Sequence, residues 1–137
     1  MKKSMLRAHM TAAYAYADVS YCKRLQVGCI IVKNDNVIAI GYNGTHPGDE
    51  NVCEDANNVT LPNVIHAEDN ALRKLKDHPT RTAEGAVVFV TTAPCVACAE
   101  KLHAAGVSKV VYSTTYRSTD GIDFLRNNNI DVEQVIV

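Results

Sequence analysis

Two short segments carry side chains that could bind and use a metal ion: residues 66–68 (His-Ala-Glu) and residues 94–98 (Pro-Cys-Val-Ala-Cys). Cys95 and Cys98 are three residues apart. In a helix opened by the proline, both sulfurs lie on one face of the first turn, where the helix dipole favours thiolates. Together with His66 they make three N/S ligands, which suit zinc and leave a fourth position open, as in catalytic sites. Glu68 is not needed as a ligand and is the natural proton carrier there.

Each half of this pattern has a plainer explanation when taken alone. A lone C-x-x-C is also found in redox pairs and structural zinc clips, or arises by chance, and a lone histidine is more often an ordinary surface or core residue. The conjunction of both halves, with every position of the correct type, predicts a catalytic zinc site.

The composition bounds the class of protein. The 137 residues suffice for one domain, residues 1–137, with a real core. Lys and Arg number 14 and Asp and Glu 15, a balance that argues against a broad electrostatic surface for a nucleic acid polymer but allows a local phosphate pocket. We expect no membrane partner, because no apolar stretch is long enough to span a bilayer. Arg7 and His9 interrupt any apolar signal-peptide core, so we expect a cytoplasmic protein whose five cysteines serve as thiols or metal ligands rather than disulfides.

The hydrophobic pattern predicts alternating helices and strands. Residues 5–19 read as a helix, and two β-branched runs around an Asn/Asp turn predict an antiparallel hairpin. The later chain alternates between the two types of element, which implies right-handed parallel crossovers and an α/β fold with a mixed five-stranded sheet between helices. The predicted strands span residues 26–32, 37–42, 85–92, 107–112 and 130–137, and the later helices span residues 66–76, 96–105 and 120–127.

This arrangement puts both halves of the metal motif at helix starts on one side of the sheet, where such folds bind ligands. His66 and Glu68 are two residues apart and diverge on a regular helix, so they converge only if the helix begins there. Gly28 marks either close approach to a ligand or a strand kink. Residues 45–65 form a polar insert that is longer than a simple connection between elements, and such loops often bind ligands. Its Cys53 and His46, together with Cys22, are possible ligands of a second, structural zinc ion.

With these motifs placed, the chain resembles the cytidine deaminase-like superfamily of zinc enzymes and, within it, the deoxycytidylate (dCMP) deaminases. The resemblance covers nearly the whole length. It rests on the two metal motifs and on the segments Gln26-Val27-Gly28, Gly41-Tyr42-Asn43-Gly44, the insert before the histidine, and Tyr116-Arg117.

The resemblance implies a three-layer α/β/α fold and hydrolytic deamination of dCMP to dUMP, which supplies dUMP for thymidylate synthesis. It implies zinc held by His66, Cys95 and Cys98, with Glu68 delivering a proton to N3 of cytosine and then helping to protonate the departing amine, so that ammonia leaves. Asn43 is implied to contact the deoxyribose 3′-hydroxyl. Our candidate contacts to the 5′-phosphate are Ser20, Arg24, Tyr116 and Arg117, and Ala67 is a further candidate substrate contact.

The family also implies regulation and assembly. Its members are typically homo-oligomers, often hexamers, activated by dCTP and inhibited by dTTP with Mg²⁺. The segment Gly41, Tyr42, Asn43, Gly44 resembles part of that effector site.

Other functions remain open at this stage. A tRNA adenosine deaminase shares the zinc motif, and a nucleoside or free-base deaminase is a closer alternative that phosphate dependence separates. A non-catalytic zinc module that senses nucleotides is a third, disfavoured by the open coordination position and by Glu68.

Overall fold

The computed structural model describes all residues from 1 to 137, and the chain folds into four helices and five strands in the predicted order. The helices are α1 (Lys3–Ala17), α2 (Ala67–Arg73), α3 (Val96–Ala104) and α4 (Asp120–Asn127), and the strands are β1 (Gly28–Lys33), β2 (Asn36–Tyr42), β3 (Val87–Thr92), β4 (Lys109–Thr114) and β5 (Asp131–Gln134). Most boundaries fall within a few residues of those predicted. The largest differences are at α2, which ends before a turn where Asp77 has φ +62°, and at β5, which is shorter at both ends.

The five strands form one mixed sheet in the order β2-β1-β3-β4-β5. β1 is antiparallel to both β2 and β3, whereas β3, β4 and β5 run parallel. The β1–β2 hairpin turns through Asn34 and Asp35, which both have positive φ, as two-residue hairpin loops require. The predicted hairpin and mixed sheet are therefore confirmed.

The sheet lies between two helical layers. On one face, α1 buries Leu6, Met10 and Ala13 against side chains that include Phe89 and Val111. On the other face, α2, α3 and α4 cover a larger cluster that includes Ala71, Leu102 and Leu125. The fold is the three-layer α/β/α arrangement that the resemblance implies.

Two glycines let helices lie directly on strands. A Cβ at Gly28 would come within 1.9 Å of the Ala13 carbonyl oxygen in α1, and one at Gly41 within 2.4 Å of the Ala67 carbonyl oxygen in α2. Gly28 therefore marks close approach to a helix, not to a ligand. Side chains of α2 also donate hydrogen bonds to two carbonyls of β2 that flank Gly41: Asn70 to Tyr42 at 2.8 Å, and Lys74 to Ile40.

The cysteines differ from expectation at one pair. Cys22 and Cys53 form a disulfide with Cα atoms 5.2 Å apart, so the prediction that disulfides are absent is wrong here. The connector between α1 and β1 (residues 18–27) and the insert lie side by side, since the Glu54 carboxylate accepts hydrogen bonds from the backbone N–H groups of Lys23 and Arg24. This pairing joins positions 31 residues apart and leaves no local sequence signature. The bonded sulfurs offer no thiolate to the second zinc considered above, and His46 does not lie with them.

None of the helices combines the length and the apolar character needed to cross a bilayer.

Candidate metal centre and substrate cavity

The two metal motifs lie at the N-termini of α2 and α3. His66 is the N-cap residue of α2 (φ −69°, ψ 156°) and Cys95 is the N-cap residue of α3 (φ −72°, ψ 168°), so both have extended backbones. Cys98 follows in the first turn of α3. The extended backbone at position 66 lets His66 and Glu68 face one site although they are two residues apart, as the spacing argument required.

The three side chains converge with a geometry that suits zinc. The His66 Nδ1 atom lies 3.3 Å from Cys98 Sγ and 3.6 Å from Cys95 Sγ, and all three ligand atoms lie within 4.8 Å of one another. Bond lengths of about 2.0–2.3 Å in tetrahedral zinc place N and S ligands about 3.5 Å apart. The donor set and its spacing therefore fit a zinc ion held by three protein ligands.

The three side chains of the cluster change one another's pKa values. Hydrogen bonds from Cys98 and His66 lower the pKa of Cys95 to about 3. The same hydrogen bond with Cys95 and burial raise the pKa of Cys98, and the hydrogen bond to Cys95 raises that of His66. Cys95 is thus the thiolate of the pair, and a cation bound here would replace the proton that the two sulfurs share.

Glu68 is buried beside the cluster, with 4% of its surface exposed. Burial raises the pKa of this carboxyl to about 7, a shift that the His66 charge only partly opposes. A group with a pKa near neutral both accepts and donates protons readily at that pH. Sequence reasoning found Glu68 by its motif, and the structure adds the physical reason for its reactivity.

A cavity opens directly over these residues, on the side of the sheet predicted to bind ligands. His66, Ala67, Glu68 and Cys95 form its base. Its walls combine apolar and polar side chains from the connector, the β2 end, the insert and the segment after β4: Cys22, Arg24, Leu25, Val27, Asn43, Cys53, Glu54, Thr60, Val64, Thr92, Ala93 and Tyr116.

Asn43 holds one wall of the cavity in place. Its Oδ1 accepts the Val27 N–H at 2.9 Å, and its Nδ2 donates to the Leu25 carbonyl at 2.7 Å. An amide retains one more N–H and one more lone pair after two such bonds. Asn43 therefore positions the connector and still has capacity for a ligand hydroxyl.

The candidate phosphate contacts divide into two groups. Arg24 and Tyr116 line the cavity, and Arg24 is oriented by a hydrogen bond from its Nε to Thr60 at 3.1 Å. Ser20 is buried away from the cavity and bonds to the Asn43 carbonyl at 2.8 Å, while Arg117 is exposed and lies 5.5 Å from the centre of the Tyr116 ring.

The candidate effector segment is only partly at the cavity. Asn43 lines it, whereas Gly41, Tyr42 and Gly44 do not. Gly41 packs on α2, and Gly44 pairs with Ile65 at the end of the insert.

Sequence reasoning missed Glu54 and Thr60. Both belong to the insert and line the cavity, and both bond to the connector that carries Arg24. Their only sequence signal was the unusual length and polarity of the insert, which indicates a binding loop without naming its residues.

Residues 3–114 match the family model described as the cytidine and deoxycytidylate deaminase zinc-binding region. The chain is 35% identical to the deoxycytidylate deaminase of Saccharomyces cerevisiae, an alignment that covers 98% of this chain and 46% of that protein. It is also 35% identical to the deoxycytidylate deaminase of Schizosaccharomyces pombe, covering 78% of this chain and 36% of that one. The chain thus spans less than half the length of these two curated relatives.

A solved structure is similar over nearly its full length. It is the dCMP deaminase of the cyanophage S-TIM5, determined in complex with dCMP and dUMP, and it is 42% identical with a TM-score of 0.95, covering 98% of this chain and 99% of that one.

Proposed function

Because the chain belongs to the cytidine and deoxycytidylate deaminase zinc-binding family, we propose that it hydrolyses dCMP to dUMP and ammonia. The observation that carries the proposal is one cavity lined by His66, Cys95, the buried Glu68 and Arg24, with Cys98 completing the metal-binding cluster next to it. Relatives named deoxycytidylate deaminase, and the phage enzyme crystallised with dCMP and dUMP, support this substrate.

In this proposal His66, Cys95 and Cys98 hold zinc. A zinc ion with an open position supplies a Lewis acid that makes water a nucleophile near neutral pH. Both cysteines must be deprotonated to bind the metal: the low pKa of Cys95 makes it the thiolate of the metal-free pair, and the metal would displace the remaining proton from Cys98.

Glu68 is the proposed catalytic acid and base. Its carboxylate accepts a proton from the attacking water and delivers it to N3 of the cytosine ring. It then takes the second proton from the hydroxyl now bonded to C4 and gives it to the amine, so that ammonia leaves as the C4 carbonyl forms. The pKa of about 7 supports both directions of transfer, because neither protonation state is strongly disfavoured at neutral pH. The buried Ala67 backbone beside it supports a contact to the base.

Asn43 and Arg24 are the proposed contacts to the sugar and the phosphate. The amide capacity that remains on Asn43 suits the 3′-hydroxyl of deoxyribose. The Arg24 guanidinium uses its Nε for Thr60, which leaves its terminal N–H groups for a phosphate, and Tyr116 adds a hydroxyl on the same cavity. Arg117, one residue on, remains a second candidate cation.

The resemblance further supports activation by dCTP and inhibition by dTTP, each with Mg²⁺, at the segment Gly41–Gly44. Asn43 provides a path from that segment to the substrate cavity. We propose in the same way a homo-oligomer, with a hexamer favoured, that supplies dUMP for thymidylate synthesis.

The test is the ultraviolet change from cytosine to uracil with dCMP, deoxycytidine, CMP and dCTP as separate substrates, each with and without added dCTP–Mg²⁺ and dTTP–Mg²⁺. Selective turnover of dCMP supports the reaction, and opposite responses to the two triphosphates support the effector site. Equal turnover of deoxycytidine, or none of any substrate, contradicts the dCMP assignment and directs the search to nucleosides, free bases and tRNA.

Two arginine variants test the phosphate contact. We expect Arg24→Met to raise KM for dCMP about 10- to 100-fold, because a charge-assisted hydrogen bond is worth about 1.5–3 kcal/mol. Arg117→Met is the comparison variant, and we expect it to have a smaller effect because Arg117 is exposed and off the cavity. A larger effect of Arg117→Met would transfer the role to that residue.

A further inference from the structure

The metal ligands come from two different helices, so the site depends on how α2 and α3 are held together. Outside the cluster itself, one side-chain hydrogen bond joins these helices: the Lys101 ammonium donates to Asp69 Oδ2 at 3.0 Å. Asp69 lies three residues after His66, and Lys101 lies three residues after Cys98. Because three residues make almost one helical turn, the pair sits directly behind the ligands on both helices.

A second cation binds the same carboxylate without joining the helices. The Arg73 guanidinium lies 3.4 Å from Asp69 Oδ2, but Arg73 and Asp69 are both on α2, four residues apart. Partial burial would raise the pKa of Asp69, but the hydrogen bonds from Lys101 and Arg73 outweigh it and lower the pKa. The carboxylate is therefore charged and engaged at neutral pH.

The pair is poorly placed to act through overall stability. The Lys101 side chain is 52% exposed and that of Arg73 49%, against 17% for Asp69. Exposed ion pairs contribute little to folding because water and salt screen them. A link one turn behind the ligands changes metal affinity by no more than the pair itself is worth, which for an exposed pair is up to about fivefold.

We propose that Asp69 and Lys101 are positioning residues of the metal centre, which hold α2 against α3 so that His66 meets Cys95 and Cys98 at zinc-binding distance. Lys101 acts through Asp69 and does not itself touch the metal or the substrate. The inference rests only on the zinc-binding part of the proposed function and not on the identity of the substrate.

The test is zinc affinity of the full chain, measured by competition with a chromogenic chelator, together with the unfolding midpoint of the metal-free protein. We expect Lys101→Met and Asp69→Asn each to weaken zinc binding about three- to fivefold, and the double variant to be no worse than either. Arg73→Met, the matched control, removes a cation from the same carboxylate and should stay within about 1.5-fold of wild type, as should Lys101→Arg.

Each outcome separates the possible explanations. If Arg73→Met weakens zinc binding as much as Lys101→Met, general charge rather than the link between helices is responsible and the inference is wrong. Unchanged affinity in Asp69→Asn overturns it equally. A change confined to the unfolding midpoint indicates a merely structural pair and overturns it too. Failure of the wild-type chain to bind zinc would instead contradict the proposed function.

Discussion

Replacing Gly41 by alanine tests whether this residue serves the fold or an effector. A Cβ at position 41 would lie 2.4 Å from the Ala67 carbonyl oxygen and 2.6 Å from the Ala71 amide nitrogen, both backbone atoms of α2. Ordinary contact begins near 3.4 Å, so the helix must move by about 1 Å. Such overpacking costs about 1–3 kcal/mol.

The displaced helix carries the His66 ligand and Glu68, so the damage should extend to chemistry. Misplacing reacting groups by about 1 Å lowers a rate about 100-fold. We therefore expect Gly41→Ala to lose about 1–3 kcal/mol of unfolding free energy in urea, to bind zinc more weakly, and to turn over dCMP about 100-fold more slowly without any effector present.

Gly44→Ala is the matched control. Its Cβ would come nearest to the Tyr21 side chain, at 3.2 Å, so the side chain must move by a few tenths of an ångström rather than about 1 Å. We expect a much smaller loss of stability. If Gly41→Ala keeps the wild-type unfolding curve and changes only the response to triphosphates, the packing argument is refuted and the effector role of Gly41 is supported.

Three further results are expected. Glu68→Gln should retain zinc, measured by metal content, and lose about 10²- to 10⁴-fold in turnover; retained turnover would contradict the proton-transfer role. In zinc-free protein, Glu68 binds protons more tightly when folded, with a pKa raised from 4.5 to about 7, so the stability it contributes is present below pH 4.5 and lost as pH rises through 7. Between pH 4.5 and pH 8 we expect this effect to lower the free energy of unfolding in urea by about 3 kcal/mol. Glu68→Gln should abolish that pH dependence, whereas Glu100→Gln, at an exposed position, should retain it. The double variant Cys22→Ser, Cys53→Ser should lose about 3–4 kcal/mol, as expected for a crosslink between residues 31 apart, and should match wild type under reductant; a wild type insensitive to reductant would contradict this.

The metal cluster was predictable because it consists of specific residue types at short, fixed spacings in the sequence. The two motifs fix residue identity at short spacing, and the need for His66 and Glu68 to converge predicted a helix start at position 66, which the extended N-cap backbone confirms. The fold was predictable for a similar reason, since β-branched runs and Asn/Asp turns report on their own conformation.

The features that sequence reasoning missed all depend on contacts between distant segments. Gly28 and Gly41 lie against helices that the strand pattern does not reveal. The Cys22–Cys53 disulfide and the Glu54 contacts arise only when the insert folds back onto the connector. Ser20 has a suitable chemical type for phosphate, but its hydroxyl is used by a backbone carbonyl within the fold.

The position of two proposed metal ligands at helix caps has an evolutionary consequence. Neither His66 nor Cys95 makes a side-chain capping hydrogen bond, although Ser, Thr, Asn or Asp at an N-cap stabilises a helix by about 1 kcal/mol. Mutation to one of those residues would destroy the metal site and yet favour the metal-free fold. Selection for folding alone therefore does not conserve these two residues. In duplicated copies that are no longer selected for activity, we expect substitutions at these positions to appear early and to leave a stable, inactive protein.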